Sequence, residues 1–243
     1  MTRPDPAEVA RFAAARDRVL DRIGAAARLA GRDPGEVTLV AVSKTVPAER
    51  LAAAVAAGLT LLGENRVQEA AEKAPLLPGV TWQLVGPLQS NKARRALETF
   101  SLIQTVDSVE LARRLDRISG ELAIASFPVL VQVNVDLDPA KAGFAPGELA
   151  RVLDELAGLE RLRLDGLMTI GRLTSSEAEA RATFRGLREV AAALRGSGSR
   201  GGFGGVLGPA LSMGMSDDYP LAIEEGATIV RVGRALFGDR PAA

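Results

Sequence analysis

The stretch VTLVAVSK, Val37 to Lys44, decides the fold. It is an apolar, largely β-branched run of strand length that does not alternate with polar residues, and it ends in a lysine. Strands of that kind are buried on both faces, which is the habit of a parallel sheet covered by helices. Upstream, Pro6 to Ala30 sets Val9, Phe12, Ala13, Val19, Leu20 and Ile23 at helical spacing and stops at Gly31. Downstream, Pro47 to Ala57 reads as a short Ala-rich helix closed by Gly58.

The alternation then repeats. Strand candidates follow at Leu59 to Asn65, Thr81 to Gly86, Ser101 to Asp107, Pro128 to Val135, Arg161 to Ile170, Val206 to Gly214 and Thr228 to Gly233. Between them lie helical patterns through Ala70, from about Ser90, and over Val109 to Ile118, Pro146 to Leu156, Glu177 to Leu194 and Asp217 to Glu225. Eight such units in 243 residues match the size and count of a closed α/β barrel, the (β/α)8 TIM fold. An open doubly wound sheet is the competing layout. The expected organisation is one structural domain, a barrel over residues 36–240 with an extra N-terminal helix in residues 1–35 packed on it.

Composition removes whole classes of chemistry. The chain has no His and no Cys, which excludes a Ser-His-Asp relay, a thiolate nucleophile, a disulfide and a His- or Cys-ligated metal. Lys plus Arg and Asp plus Glu are both 30, a balance that argues against a nucleic-acid binder. Only four of the basic residues are lysines, Lys44, Lys73, Lys92 and Lys141. Arginine keeps its proton, so these four are the only side-chain amines able to act as nucleophiles. No apolar run is long enough for a membrane span and no signal peptide is evident, so a cytoplasmic location is expected.

In a parallel barrel the site lies at the C-terminal ends of the strands. Lys44 alone of the lysines ends a strand, in phase with Val40 and Val42; there it is either a structural lysine paired to a carboxylate or an amine whose desolvation suits it to imine formation. Lys73, late in a helix, is expected to be solvated. Arg231 lies inside the last strand, where its guanidinium needs either an internal carboxylate or a ligand atom. Ser212 with the Gly233 and Arg234 backbone could cradle a phosphate, since barrels often hold one after strands 7 and 8. Ser216 reads as a helix N-cap, and Asn65 with Gln68 as a capping box. Asp136 and Asp138 read as solvated loop carboxylates. The literal G-x-G-x-x-G at Gly196, Gly198 and Gly201 follows a helix, which is the wrong context for a dinucleotide and reads as a surface loop. A phosphate cradle, an imine-competent lysine and a buried arginine on one barrel face suggest pyridoxal 5′-phosphate, which brings its own electron sink.

The segments AVSKT (Ala41 to Thr45), GENRVQE (Gly63 to Glu69), WQLVGPLQSNK (Trp82 to Lys92), QVNV (Gln132 to Val135), GLMTI (Gly166 to Ile170), LSMGMSDD (Leu211 to Asp218) and RVGRALFG (Arg231 to Gly238) closely resemble the pyridoxal phosphate homeostasis protein family. The resemblance runs in order over nearly the whole chain. It implies the barrel of the alanine racemase N-terminal domain, pyridoxal 5′-phosphate held as a lysine aldimine, and a role in buffering or delivering that cofactor within vitamin B6 balance, without established turnover. Carried over residue by residue, Lys44 matches the aldimine lysine and Arg231 the arginine facing the pyridine nitrogen. Ser212, Gly233 and Arg234 fall where the family holds the phosphate, and Asn65 and Met168 fall near the ring.

Three positions depart from the family's pattern. Val46 stands where a second lysine is common, Gln83 where a histidine is common, and Arg234 where a small hydroxyl residue is common, so only the Arg234 backbone N–H carries over. Without the second lysine, Lys141 is the alternative for an aldehyde relay. The implied partners are the cofactor and apo forms of enzymes that use it, with no nucleic acid and no membrane, and the implied state is a monomer. The alternative function is an amino-acid racemase. It would need an opposing acid, typically a tyrosine from a second domain; this chain ends just after the eighth strand and has only Tyr219, so a carrier without turnover is expected.

Overall fold

Eight parallel strands, each hydrogen-bonded to the next in chain order, close into a barrel where the eighth pairs with the first. The computed structural model describes residues 4–171, 176–196, 203 and 205–238. The strands are β1 (Thr38–Val42), β2 (Leu61–Glu64), β3 (Thr81–Leu84), β4 (Leu102–Val106), β5 (Phe127–Gln132), β6 (Leu162–Met168), β7 (Ala210–Ser212) and β8 (Ile229–Val232). Helices α2 (Ala48–Ala56), α3 (Val67–Lys73), α4 (Ala93–Thr99), α5 (Val109–Glu121), α6 (Leu149–Ala157), α7 (Glu177–Gly196) and α8 (Tyr219–Glu224) fill the connections, with α1 (Pro6–Leu29) before the barrel and α9 (Arg234–Phe237) after it. The open-sheet alternative is thereby set aside.

The apolar runs do not alternate because both of their faces are buried. One phase of the strands supplies an inner cluster, with Val40, Val85, Leu102, Leu130, Met168 and Ile229 in mutual contact. The other phase, including Leu62, Ile103, Val131, Leu167 and Val230, packs outward against the helices. Each such side chain contributes roughly 1.5–3 kcal/mol when fully buried, so a one-residue slip of any strand would forfeit several of them together. Val40 sits opposite Arg231 across the closing pair, so that arginine shares the inward phase of β1.

Helix α1 starts where Asp5 accepts the Ala7 N–H at 3.0 Å and Pro6 presets the first turn. Its buried face carries Phe12, Val19, Ile23 and Ala27. It lies against α2, α8 and α9, and the Phe12 ring meets Phe237 edge-on at 5.7 Å. The short α9 goes unremarked in the sequence pattern. Boundaries differ elsewhere as well: β7 is only three residues long, α8 begins at Tyr219 rather than Asp217, and the chain enters α4 through a 3-10 turn, Ser90–Lys92. The Gly-rich run between Gly196 and Gly205 lies largely outside the described residues. Among the described residues, no helix is long and apolar enough to cross a membrane.

Candidate functional site

Arg231 is a buried, doubly bonded cation at the C-terminal end of the barrel. It is 5% exposed, and β8 places it inside. Nη1 donates to Ser212 Oγ at 2.6 Å and Nη2 to the Thr169 carbonyl at 2.8 Å. The chain of bonds continues across the barrel: the Ser212 hydroxyl donates to Gln104 Oε1 at 2.6 Å, and Gln104 Nε2 donates to Gln83 Oε1 at 2.6 Å. The carboxylate that an internal ion pair would need is not among these partners. Burial pushes the guanidinium's pKa down to about 10, with the Asp218 charge acting in the opposite direction. Two of the five N–H groups are used in these bonds, which leaves donors for a further acceptor.

Ser212, at the end of β7, is fully buried and stands opposite Met168, the last residue of β6, also fully buried. Beyond β7 the chain turns at Gly214, whose φ is +88 and where a Cβ would stand 2.6 Å from that of Ala222. The expected Ser216 N-cap does not form. Asp218 occupies that position because Tyr219 and Pro220 open the helix, and Ser216 Oγ instead accepts the Gly233 N–H at 3.1 Å. Asp218 accepts the Met215 N–H at 2.6 Å, and burial nevertheless raises its carboxyl above the ordinary range. Arg234 pairs with Asp217 on the exposed rim, which leaves its backbone as the part adjoining Gly233.

Lys44 lies two residues past the end of β1, half-buried and in phase with the inward-packed Val40 and Val42. Its turn abuts the end of β8, since a Cβ on Gly233 would lie 3.2 Å from the Val42 carbonyl oxygen. The next residue, Thr45, has φ +67, a left-handed conformation that costs a β-branched residue about 1–3 kcal/mol and persists only when its surroundings hold it. Asn65, half-buried after β2, is not part of a capping box: Arg66 is the N-cap of α3 and makes no side-chain cap. A Cβ at Gly86 would lie 2.4 Å from the Asn65 carbonyl oxygen, so the ends of β2 and β3 meet backbone to backbone.

Two further expectations are corrected. Lys73 is buried, not solvated, because it shares the inner face of α3 with Val67 and Ala70; its Nζ donates to Glu64 at 2.7 Å, Glu69 at 2.7 Å and the Ser43 carbonyl at 3.1 Å. Asp136 is not a solvated carboxylate either: it is 11% exposed and accepts the Thr183 hydroxyl at 2.6 Å. Lys141 stands 3.9 Å from Asp136 and 3.8 Å from Asp138, and donates to the Ile170 carbonyl at 3.2 Å. A cavity of about 760 Å³ opens at the opposite, N-terminal end among Thr38, Arg163, Asp165 and Thr228, where Arg163 and Asp165 satisfy each other.

The donors fit a phosphorylated pyridine aldehyde: an amine on the β1 turn, a buried guanidinium with unspent N–H groups, and a hydroxyl with a backbone N–H where β7 and β8 end. Fold and donor set together define a cofactor-binding barrel of the alanine racemase N-terminal class. The family model described as alanine racemase, N-terminal domain, matches residues 16–241. A pyridoxal phosphate homeostasis protein of Pseudomonas aeruginosa is 43% identical over 226 residues, spanning 92% of this chain and 93% of its own. The protein of the same name from Escherichia coli K12 is 41% identical over 228 residues, 91% of this chain and 94% of its own. PipY of Synechococcus elongatus, solved with PLP bound, superposes with a TM-score of 0.78 at 44% identity, covering 90% of this chain and 100% of that one. Alanine racemase of Clostridium difficile, at 18% identity and a TM-score of 0.63, covers 85% of this chain and 52% of its own, and shares the fold. The chain belongs to the pyridoxal phosphate homeostasis protein family.

Proposed function

We propose that the chain binds pyridoxal 5′-phosphate and serves its homeostasis, buffering the cofactor and delivering it to apo enzymes rather than turning over a substrate. The observation that carries this is Arg231, a buried guanidinium that among the described residues bonds a hydroxyl and a carbonyl and spends two of its five N–H groups on them. When bound, the cofactor supplies an aldehyde and an electron-accepting pyridine ring. Lys44 would hold the cofactor through its amine. Arg231 would face the pyridine nitrogen and oppose its protonation, which would weaken the ring as an electron sink and suit storage over transamination. Ser212 lies between Arg231 and Gln104, while the Ser216 hydroxyl, which accepts the Gly233 N–H, keeps its own proton and would offer it to the phosphate together with the Arg234 backbone N–H. Asn65 and Met168 would lie near the ring. The same proposal has one structural unit, residues 1–35 packed on a barrel of residues 36–240, acting as a cytoplasmic monomer.

The racemase alternative would need a tyrosine to serve as the opposing acid. The chain's one tyrosine, Tyr219, is 0% exposed with its ring 5.0 Å from the Arg22 guanidinium of α1. Borohydride reduction of cofactor-loaded protein followed by peptide mapping tests the site: the adduct is expected on Lys44, with loss of the visible band in Lys44→Ala. An adduct on another lysine, or an unchanged band in that variant, removes the assignment. Chiral analysis after incubation with single L-amino acids separates carrier from racemase, since sustained turnover would overturn the carrier reading.

A further inference from the structure

The two peptide groups that flank Lys44 are held by one buried ionic cluster. On the near side, the Ser43 carbonyl accepts from Lys73 Nζ at 3.1 Å and from the Val46 N–H at 3.0 Å. On the far side, the Thr45 N–H donates to Glu69 Oε1 at 2.7 Å, and that same oxygen accepts from Lys73 at 2.7 Å. The third Lys73 proton goes to Glu64 Oε1 at 2.7 Å, which also accepts the Ser43 hydroxyl at 2.8 Å. All three ammonium protons are therefore spent, on β1, β2 and α3 at once. The Glu64 side chain is 0% exposed and that of Lys73 9%. A left-handed threonine beside a lysine needs such a grip, because the backbone would otherwise relax to an extended conformation and carry Lys44 with it.

We propose that Lys73, with Glu64 and Glu69, is a positioning cluster that sets the direction of Lys44 by clamping the Ser43 carbonyl and the Thr45 N–H. The proposal rests on Lys44 being the cofactor-bearing amine. It also ties that amine to the other side of the site, because Glu64 directly precedes Asn65 and accepts its N–H at 3.3 Å. Lys73 touches neither substrate nor cofactor on this reading; it acts through the turn. A plain ion pair between strand and helix would be indifferent to which peptide bonds it held, whereas here both belong to Lys44's neighbours.

The test uses full-length Glu69→Ala, which removes the Thr45 acceptor from a half-exposed position, and Glu69→Gln, which keeps a carbonyl oxygen there. The double variant Glu64→Gln/Lys73→Met removes the buried pair and leaves only the Glu69 carboxylate, which solvent reaches. Pyridoxal 5′-phosphate is the probe, with the rate of growth and the circular dichroism of the visible band as readouts. In cofactor-free protein, acylation of Lys44 relative to Lys92 by acetic anhydride is followed by peptide mass spectrometry. Glu69→Ala and the double variant are expected to form the band about tenfold more slowly, with altered circular dichroism and a changed acylation ratio, while Glu69→Gln recovers most of the wild-type behaviour and melting temperatures stay close. If all variants match the wild type within about twofold while its reduced adduct maps to Lys44, the positioning role is overturned and the site reading stands. An adduct on a different lysine in the wild type overturns both.

Discussion

Replacing Arg231 by Met should leave the cofactor-free protein no less stable, and should cost it the cofactor. The guanidinium is buried with neutral partners, and its pKa is pushed down to about 10. Holding that charge in the fold therefore costs roughly 3 kcal/mol relative to water. The sign does not depend on pH near neutrality, because below about pH 10 the folded and unfolded chains both carry the proton and the cost is constant. Met fills a similar length of side chain without the charge. Against the relief stands the Thr169 carbonyl, which loses its donor at a cost of about 1–3 kcal/mol, while Ser212 keeps its bond to Gln104. The net expectation is a gain of about 0–2 kcal/mol, a rise of up to several degrees in melting temperature for a chain of this size. With pyridoxal 5′-phosphate the order should invert: a lost charged hydrogen bond is worth about 1.5–3 kcal/mol, or roughly 10- to 100-fold in affinity, and ligand-linked stabilisation falls with it. Urea and thermal melts of stripped protein, repeated with saturating cofactor, supply the four numbers. A stripped variant melting several degrees below the wild type would refute the argument that the fold carries this charge at a loss, and equal stabilisation by cofactor would refute its role in binding.

Gly86→Ala should destabilise by about 3 kcal/mol or more, because the new Cβ would lie 2.4 Å from the Asn65 carbonyl oxygen and both sides of that contact are backbone; the urea midpoint reads this directly, and a loss under about 1 kcal/mol would mean that the ends of β2 and β3 separate easily. Asp218→Asn tests the buried carboxyl after β7. Burial raises its pKa against the Met215 bond and the Arg231 field, so the folded state holds this proton more tightly than the unfolded chain does. Stability that is fully present below the ordinary carboxylate value of about 4 is then lost as pH rises through the folded value. The amide keeps an oxygen for Met215 and cannot ionise, so the variant's advantage in urea midpoint should grow from acid toward neutral pH and then level off. A difference that is flat, or that shrinks with pH, would contradict the direction of the shift.

The barrel was legible because its determinants are local: each apolar run announces a doubly buried strand, and their order leaves few ways to close. Arg231 and Lys44 were legible as exceptions to that same pattern, a charge within a run and a charge at the end of one. What escaped depended on choices between equally good local signals. Ser216 has the chemistry of an N-cap, but Pro220, favoured in the first helical turn, pulls the helix start to Tyr219 and frees the serine for Gly233. Asn65 and Gln68 have capping spacing, but α3 starts one residue later. The Lys73 cluster was the largest omission, and a trace of it was present: Lys73 follows Val67 and Ala70 at three-residue spacing on the buried face of α3, and Glu69 precedes it by four. That spacing alone cannot choose between a lysine reaching for water and one reaching inward, because the long apolar stem permits both. The choice is made by a non-local fact, that Glu64 ends β2 buried beneath that face with its pKa raised by burial, and the ammonium that reaches it offsets its charge. The residues most easily read from sequence are thus those that would meet a cofactor, and the ones that aim them become visible only once β1, β2 and α3 are brought together.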